Sequence, residues 1–432
     1  MMGRLAATLA LVLWLAGPAR ADGAFPDSMS LLLPADRPGR LVVGTNFGLV
    51  VSDDDGASWY LVCEQAIAAN VSAYQLSAAP DDRLYAATPR GLASSDDGGC
   101  SWRFAAGRLA GANVIDVWPD ANDPASVYAI ATTASDDDGG SDVEGVYQSS
   151  DGGRSFGAPP LYVAGPATSL TGVEKARAAP QTLYLTMLSY PPPRPAVARS
   201  TGSGGFAVAD ESAFTVSSPY LAAVDPDDAS VLYLRLRGQG DALGISRDAG
   251  ATLATILPMA GRMSALLRRR NGTLLVGSSD KQSLRSVDGG QSFSPWPGAP
   301  HVRALAERGD VLYVVASDVS DAFVVGRSAD EGASWTPLMR FRDIRGPLAC
   351  GDLPAVCAGP FAALQGLFNP GQTGSGGDAG VATPPAGPTH RRGCGCTVGA
   401  APRSELPTPC LFVLCCLLVS LTRRKSHDEV EE

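Results

Sequence analysis

An all-β fold is what this chain of 432 residues predicts: seven four-stranded blades around an axis, a seven-bladed β-propeller, followed by a tail that does not belong to it. Three observations predict it. A short turn motif returns seven times, the copies are spaced by about one blade, and a β-rich run stands ahead of each copy.

The motif reads S-x-D-x-G-x-[ST]-[WF]. It stands complete or nearly so at Ser52/Asp54/Gly56/Ser58/Trp59, Ser95/Asp97/Gly99/Ser101/Trp102, Ser149/Asp151/Gly153/Ser155/Phe156, Ser286/Asp288/Gly290/Ser292/Phe293 and Ser328/Asp330/Gly332/Ser334/Trp335. A weaker copy is Ser246/Asp248/Gly250/Thr252, with Leu253 in the aromatic place, and a seventh at Ser200 and Gly204 has Gly202 where Asp is expected. An Asp carboxylate here accepts nearby backbone N–H groups, Gly supplies a positive φ, and the first Ser closes a local turn. The aromatic ring then opens the outgoing strand and covers the turn.

The pattern resembles the Asp box, or BNR repeat, of sialidases, sortilin-type receptors, two-propeller xyloglucanases and photosystem II assembly factors. Successive first serines are 43, 54, 51, 46, 40 and 42 residues apart, one blade each. The runs "LVVG" from Leu41, "LYAA" from Leu84, "VYAI" from Val127, "LYL" from Leu183 and Leu232, "LLV" from Leu274 and "LYVV" from Leu312 read as strands. A third strand such as "GLVVS" runs straight into the motif, so each copy joins the third strand of a blade to the fourth. With 45% hydrophobic residues, 49 Gly and 33 Pro, nothing in the composition predicts a long amphipathic helix. The net charge of −10 argues against a nucleic-acid partner. The one basic run, "LRRRNG" at Leu267 to Gly272, reads as solvated arginines in a hairpin loop.

Both ends read as addresses. Residues 1–21 form a signal peptide with Arg4, an apolar stretch and small residues at Ala19 and Ala21, and cleavage is expected before Asp22. The propeller takes 22–368 and a flexible linker 369–393. Residues 394–425 hold Cys394 and Cys396, a hydrophobic segment over 406–422 and a basic stop at Arg423, Arg424 and Lys425, before an acidic tail at 426–432. This layout resembles the MYXO-CTERM sorting signal of myxobacterial surface proteins. The resemblance implies a myxosortase-like intramembrane protease as partner, processing at Cys394 and Cys396, and attachment to the outer membrane through the tail. Export places the cysteines in an oxidising compartment. Cys63, Cys100, Cys350 and Cys357 allow three pairings, of which Cys63 with Cys100 across adjacent blades and Cys350 with Cys357 across "GDLPAV" are expected. Neither pair has C-x-x-C spacing and His301 is the propeller's single histidine, so no metal or cofactor is expected.

The sialidase resemblance would imply three arginines on a carboxylate, a Tyr–Glu pair, an Asp acid and an F-R-I-P-type motif before the first box. No such motif precedes Ser52; Phe341-Arg342-Asp343-Ile344 lies after the last copy and lacks the Pro. Tyr85, Tyr128, Tyr184, Tyr233 and Tyr313 recur at one strand position, which marks packing. The acidic insert Ser135 to Glu144 lacks calcium-loop spacing and reads as a solvated loop. The expectation is therefore a monomeric, exported, surface-anchored binding or scaffolding module for a protein or glycan partner, with no catalytic residues assigned; the alternative is a glycoside hydrolase of exo-α-sialidase type.

Overall fold

The structure, a computed structural model, describes residues 28–368 apart from 69, 79–80, 135–141, 166, 203–204, 210–217, 239 and 281. The signal peptide, the linker, Cys394, Cys396 and the segment 406–422 lie outside the described residues, as does most of the acidic insert. Among the described residues no helix is long and apolar enough to cross a membrane.

Seven antiparallel sheets follow one another along the chain, and each contains four consecutive blade strands. Their first strands are Ser28–Leu32, Ala73–Leu76, Asn113–Pro119, Thr168–Lys175, Ser218–Val224, Met263–Arg268 and Ala304–Arg308. Each touches the first strand of the next blade, and the seventh touches the first, so these strands ring the axis. The β-rich runs named above are the second strands. Leu41–Thr45, Leu84–Thr88 and Leu274–Ser278 are buried at every residue because both faces are covered by neighbouring blades, and they read as continuous apolar runs for that reason.

In five blades the first strand slips register by one residue against the second, as at Val114/Asp116 and Leu170/Gly172. Such bulges bend a strand and turn a side chain out of the ladder. Thr171, in one of them, donates to the Pro219 carbonyl of the next blade at 2.6 Å.

The ring closes without exchange of a strand between its ends, since blade 1 starts at Ser28 and blade 7 ends at Met339. The chain instead runs past blade 7 through a 3-10 turn, Phe341–Asp343, into strand Ile344–Pro347, which pairs in parallel with Trp59–Cys63 as a fifth strand of blade 1. Helix Leu353–Phe368 follows, with Leu353, Cys357 and Phe361 buried at four-residue spacing on one face. Phe368 at its end stacks on Phe341, ring centroids 5.5 Å apart. This helix departs from the composition reading; Pro360 and the glycines at 359 and 366 dilute its pattern, and packing on blade 1 holds it.

The expected disulfide pairing is corrected here. All four cysteines are bonded, but Cys63 joins Cys357 and Cys100 joins Cys350. The post-blade strap crosses the outer strand of blade 1 and reaches the motif of blade 2, so it carries Cys357 to Cys63 and Cys350 to Cys100.

Candidate functional site

Six of the seven motifs build one hydrogen-bond network. In blade 1 the Ser52 hydroxyl donates to Asp54 Oδ1 at 2.8 Å and accepts from the Gly56 N–H at 2.9 Å. Asp54 accepts the Ser58 N–H at 2.8 Å and the Ser58 hydroxyl at 2.5 Å. Trp59 Nε1 donates to the Gly56 carbonyl at 3.0 Å. Asp97, Asp151, Asp248, Asp288 and Asp330 repeat the pattern with their own serines or threonine. The motif glycines repeat it as well: Gly99, Gly290 and Gly332 donate their N–H to the first serine hydroxyl at 2.8 Å, and Gly153 and Gly250 do so at 2.9 Å. Hydroxyl and amide donors favour the charged carboxylate and outweigh what desolvation costs Asp97 and Asp151. All six therefore titrate below the ordinary range, Asp330 down to about 2 through the Ser328 and Ser334 hydroxyls. The residue after each Asp, from Asp55 to Glu331, also lies at positive φ, as does the motif glycine. Sequence reading anticipated only the glycine.

A second demand on these glycines comes from the neighbouring blade. A Cβ on Gly153 would come within 2.8 Å of the Tyr85 ring, and one on Gly250 within 2.6 Å of Val197, so each hairpin presses its backbone on the blade before it.

The aromatic position is less uniform than its sequence suggests. Trp102 follows Trp59, donating from Nε1 to the Gly99 carbonyl at 3.1 Å, and Phe293 packs half-buried against the core of blades 5 and 6. Phe156 and Trp335 depart from the expected role. Phe156 is buried but pairs in parallel with Gly107 of blade 2, while the fourth strand of its own blade is Tyr162–Val163, so it does not open that strand. Trp335 donates to the Gly298 carbonyl at 2.7 Å, and the Gly332 carbonyl of its own turn is taken instead by Trp296 Nε1 of blade 6 at 3.1 Å. A tryptophan just past the previous blade occupies the place over that turn, and Trp335 is displaced beside it, ring centroids 6.1 Å apart.

Around these hairpins adjacent blades are tied by side chains. Arg83 and Tyr85 of blade 2 both donate to the Gly152 carbonyl in the motif of blade 3, at 2.7 and 3.0 Å. Arg40 reaches the Gly98 carbonyl of blade 2 in the same way. Tyr184 donates to the Ala229 carbonyl at 2.7 Å and Tyr313 reaches Asp55 at 3.4 Å. The recurring tyrosines are packing residues, as expected. For two arginines of the basic run the expectation is corrected: Arg269 is buried between Glu307 and Glu331 of blade 7, and Arg268 pairs with Asp225 and Asp227 of blade 5, while Arg270 is exposed. Carboxylates of neighbouring blades compete successfully with water for the Arg268 and Arg269 guanidinium groups.

Blade 4 is different. Its hairpin has Gly202 at φ +99, a value none of the six aspartates adopts, and the Ser200 hydroxyl donates to the Gly202 carbonyl at 3.5 Å. Tyr128 of blade 3, which corresponds to Tyr85, accepts a bond from Gln148 of its own blade at 3.2 Å. A cleft of about 350 Å³ opens at this junction. Its apolar walls include Leu161, Leu183 and Phe206, with Gln148, Gln181 and Lys175 as polar groups. Lys175 is paired with Asp120 and lies 5.5 Å from the centre of the Tyr128 ring. Phe206 meets Tyr162 edge to face across the junction, centroids 5.2 Å apart. Beside the mouth, Leu161, Val163 and Val208 are each about half exposed on or next to the short fourth strands.

Two acids escaped sequence reading altogether. Asp116 and Glu174 sit on the first strands of blades 3 and 4, and each accepts an N–H from the next first strand, Val173 at 3.2 Å and Val224 at 2.8 Å. Burial pushes Asp116 up to about 6 and Glu174 up to about 8. A lone carboxylate in a β-run was the available signal. His301 bonds Asp321 at 2.9 Å, and among the described residues no group of three His, Cys, Asp or Glu is placed to hold a metal.

No protein-family model and no curated protein matches this chain. Solved structures are similar to it at low identity. A GH74 xyloglucanase from Xanthomonas campestris is 17% identical with a TM-score of 0.37; the match covers 71% of this chain and 57% of the xyloglucanase, so this chain spans little over half of that enzyme. YCF48 from Cyanidioschyzon merolae is 12% identical with a TM-score of 0.45, over 69% of this chain and 94% of that one. Sqt1 from Saccharomyces cerevisiae is 10% identical with a TM-score of 0.46, over 72% and 84%.

Proposed function

We propose that the chain is an exported, surface-anchored propeller acting as a non-catalytic binding or scaffolding module, and that it takes a protein segment in the cleft between blades 3 and 4. The observation that carries this reading is local. The cleft opens where the motif has lost its Asp, and it joins the buried Tyr128 and half-buried Phe206 to exposed apolar side chains on two short edge strands. That combination suits an extended segment with one apolar anchor and flanking hydrogen-bonding groups. A glycan is the other partner class, for which Gln148, Gln181 and Lys175 offer polar contacts.

A displayed peptide library and a glycan array, each probed with the purified protein, test it. Selected peptides should share an aliphatic or aromatic anchor, and Phe206→Ser with Leu161→Ser should abolish their binding without lowering the melting temperature by more than a few degrees. Selection of glycans alone, or of peptides indifferent to those substitutions, sinks the proposal. A second reading, exo-α-sialidase chemistry, draws on Glu174, pushed by burial up to about 8, since an acid still protonated at neutral pH is what glycoside hydrolysis needs. Release of sialic acid from a sialoside, lost in Glu174→Gln, would establish it; the binding reading expects none.

A further inference from the structure

The first face of the ring carries the motif hairpins, which join third strands to fourth. Hairpins joining second strands to third leave the opposite ends of the same strands and so form the other face. On that face a second cleft of about 260 Å³ lies between blades 5 and 6. Arg235, Arg237 and Arg262 line it against Asp241 and Asp280, with glycine backbone filling the rest. Three guanidinium groups against two carboxylates leave one positive charge in excess, in a chain whose net charge is −10.

The cleft is held in shape from behind. Asp241 is buried; its Oδ2 takes Arg235 at 2.7 and 2.9 Å and also the Met263 N–H at 3.0 Å. Asp280 accepts the Arg262 backbone N–H at 2.8 Å, and a Cβ on Gly261 would come within 2.5 Å of that carboxylate, so the backbone sits close against it. Arg237 lies 5.2 Å from the centre of the Tyr220 ring and donates to its hydroxyl at 3.1 Å. Both acids are therefore engaged, and among the described residues neither Arg237 nor Arg262 has a carboxylate partner for its guanidinium. Two exposed forks at one opening, one of them already steadied, lower the ordering cost of a bidentate contact.

We propose that this cleft binds the anionic group of an acidic saccharide, a carboxylate or sulfate gripped by Arg237 and Arg262. The lining is almost wholly polar, in contrast to the cleft of blades 3 and 4, and lacks the apolar wall that would anchor a peptide side chain. Sugar hydroxyls find backbone and carboxylate partners there, and the excess positive charge selects the acidic ring.

Titration calorimetry of the full protein with trigalacturonate, a sulfated disaccharide, neutral maltotriose and triglutamate tests it, independently of the first cleft. An acidic saccharide should bind while maltotriose and triglutamate do not, and the relative response of the two acidic probes tells carboxylate from sulfate. Arg237→Gln with Arg262→Gln should weaken binding at least tenfold with the melting temperature unchanged, and Arg285→Gln, an exposed arginine of blade 6, should have no effect. Affinity retained in the double variant, triglutamate bound equally well, or no binding by either acidic saccharide would each overturn the site.

Discussion

The junction between blades 7 and 1 and the junction between blades 3 and 4 solve the same contact in opposite ways. Where the chain's two ends meet, Arg308 donates to the Pro34 and Arg40 carbonyls at 3.1 and 2.7 Å, and Tyr313 and Arg327 both reach Asp55. Strand Ile344–Pro347 and two disulfides are added on top. Where blades 3 and 4 meet, peptide continuity already holds the blades together, the motif has decayed and a cleft remains. The closing junction lacks the short loop that leads from each other blade into the next, so everything that keeps it shut must come from side chains and from the disulfide-bonded strap. Slack is tolerated where the backbone itself is the tie, and a binding cleft can arise there at little cost to the fold.

The largest effect should follow from cutting the strap. Cys63 and Cys357 stand 294 residues apart, but the Cys100–Cys350 bond nested between them shortens the loop they close to about 45 residues, so in a chain-entropy view their bond stabilises by about 4 kcal/mol. Replacing both with Ser should lower the denaturation midpoint far more than Phe206→Ala does at the slack junction. Comparable losses would remove the contrast between the two.

Next in size is a pH effect confined to the inner ring. Asp116 crosses from blade 3 to 4 and Glu174 from blade 4 to 5, and both titrate above their unfolded values near 4. For a raised carboxyl the contribution to stability is complete below the unfolded pKa and declines as pH rises to the folded one. Stability should therefore fall from about pH 4 to about 6 through Asp116 and on to about 8 through Glu174. Denaturant titrations of Asp116→Asn and Glu174→Gln should each flatten their own part of that slope, and an unchanged profile would show that these carboxyls are ionised and solvated.

A smaller loss, about 1 kcal/mol, is expected of Asp97→Ala, because its partners are largely exposed. The sign in pH is reversed. A motif Asp has a lowered folded pKa, so its contribution is present above about pH 4 and disappears as pH falls below it. Thermal melts of the wild type and the variant should converge as pH falls further below that value, and a gap that stays constant through the acid range would assign the loss to something other than the carboxylate.

These contrasts also mark how far the sequence could be read. Seven blades, the second strands and the place of the motif between third and fourth strands were legible because each rests on local turn chemistry repeated at fixed spacing. Cys63 with Cys357 was not, since that pairing depends on where the chain goes after its last repeat, and Gly351 to Phe368 carries no repeat to follow. The inter-blade roles of Arg83, Arg268 and Arg269 were hidden for a related reason: their partners stand in other periods of the sequence. The same holds for Trp335, whose place over Gly332 is taken by Trp296 from the period before. Gly202 alone pointed toward the cleft, as the one motif Asp position without a carboxylate, but the cleft walls at Leu161 and Phe206 come from two blades.

The smallest effect is expected from Gly202→Asp. Restoring the missing carboxylate could supply the bonds that Asp54 makes to the first serine and to backbone N–H groups, worth about 1 kcal/mol on this exposed face, but not the Ser58 hydroxyl bond, since Phe206 stands at that place. The backbone opposes it, because φ at 202 is +99 and an L-residue held there costs a similar amount. The two should nearly cancel, leaving stability within about 0.5 kcal/mol of wild type and the cleft still open. A gain of about 1 kcal/mol or more, together with loss of the peptides that Phe206 anchors, would show instead that the blade 4 hairpin can return to the geometry of the other six, and that the missing carboxylate is what keeps the cleft open.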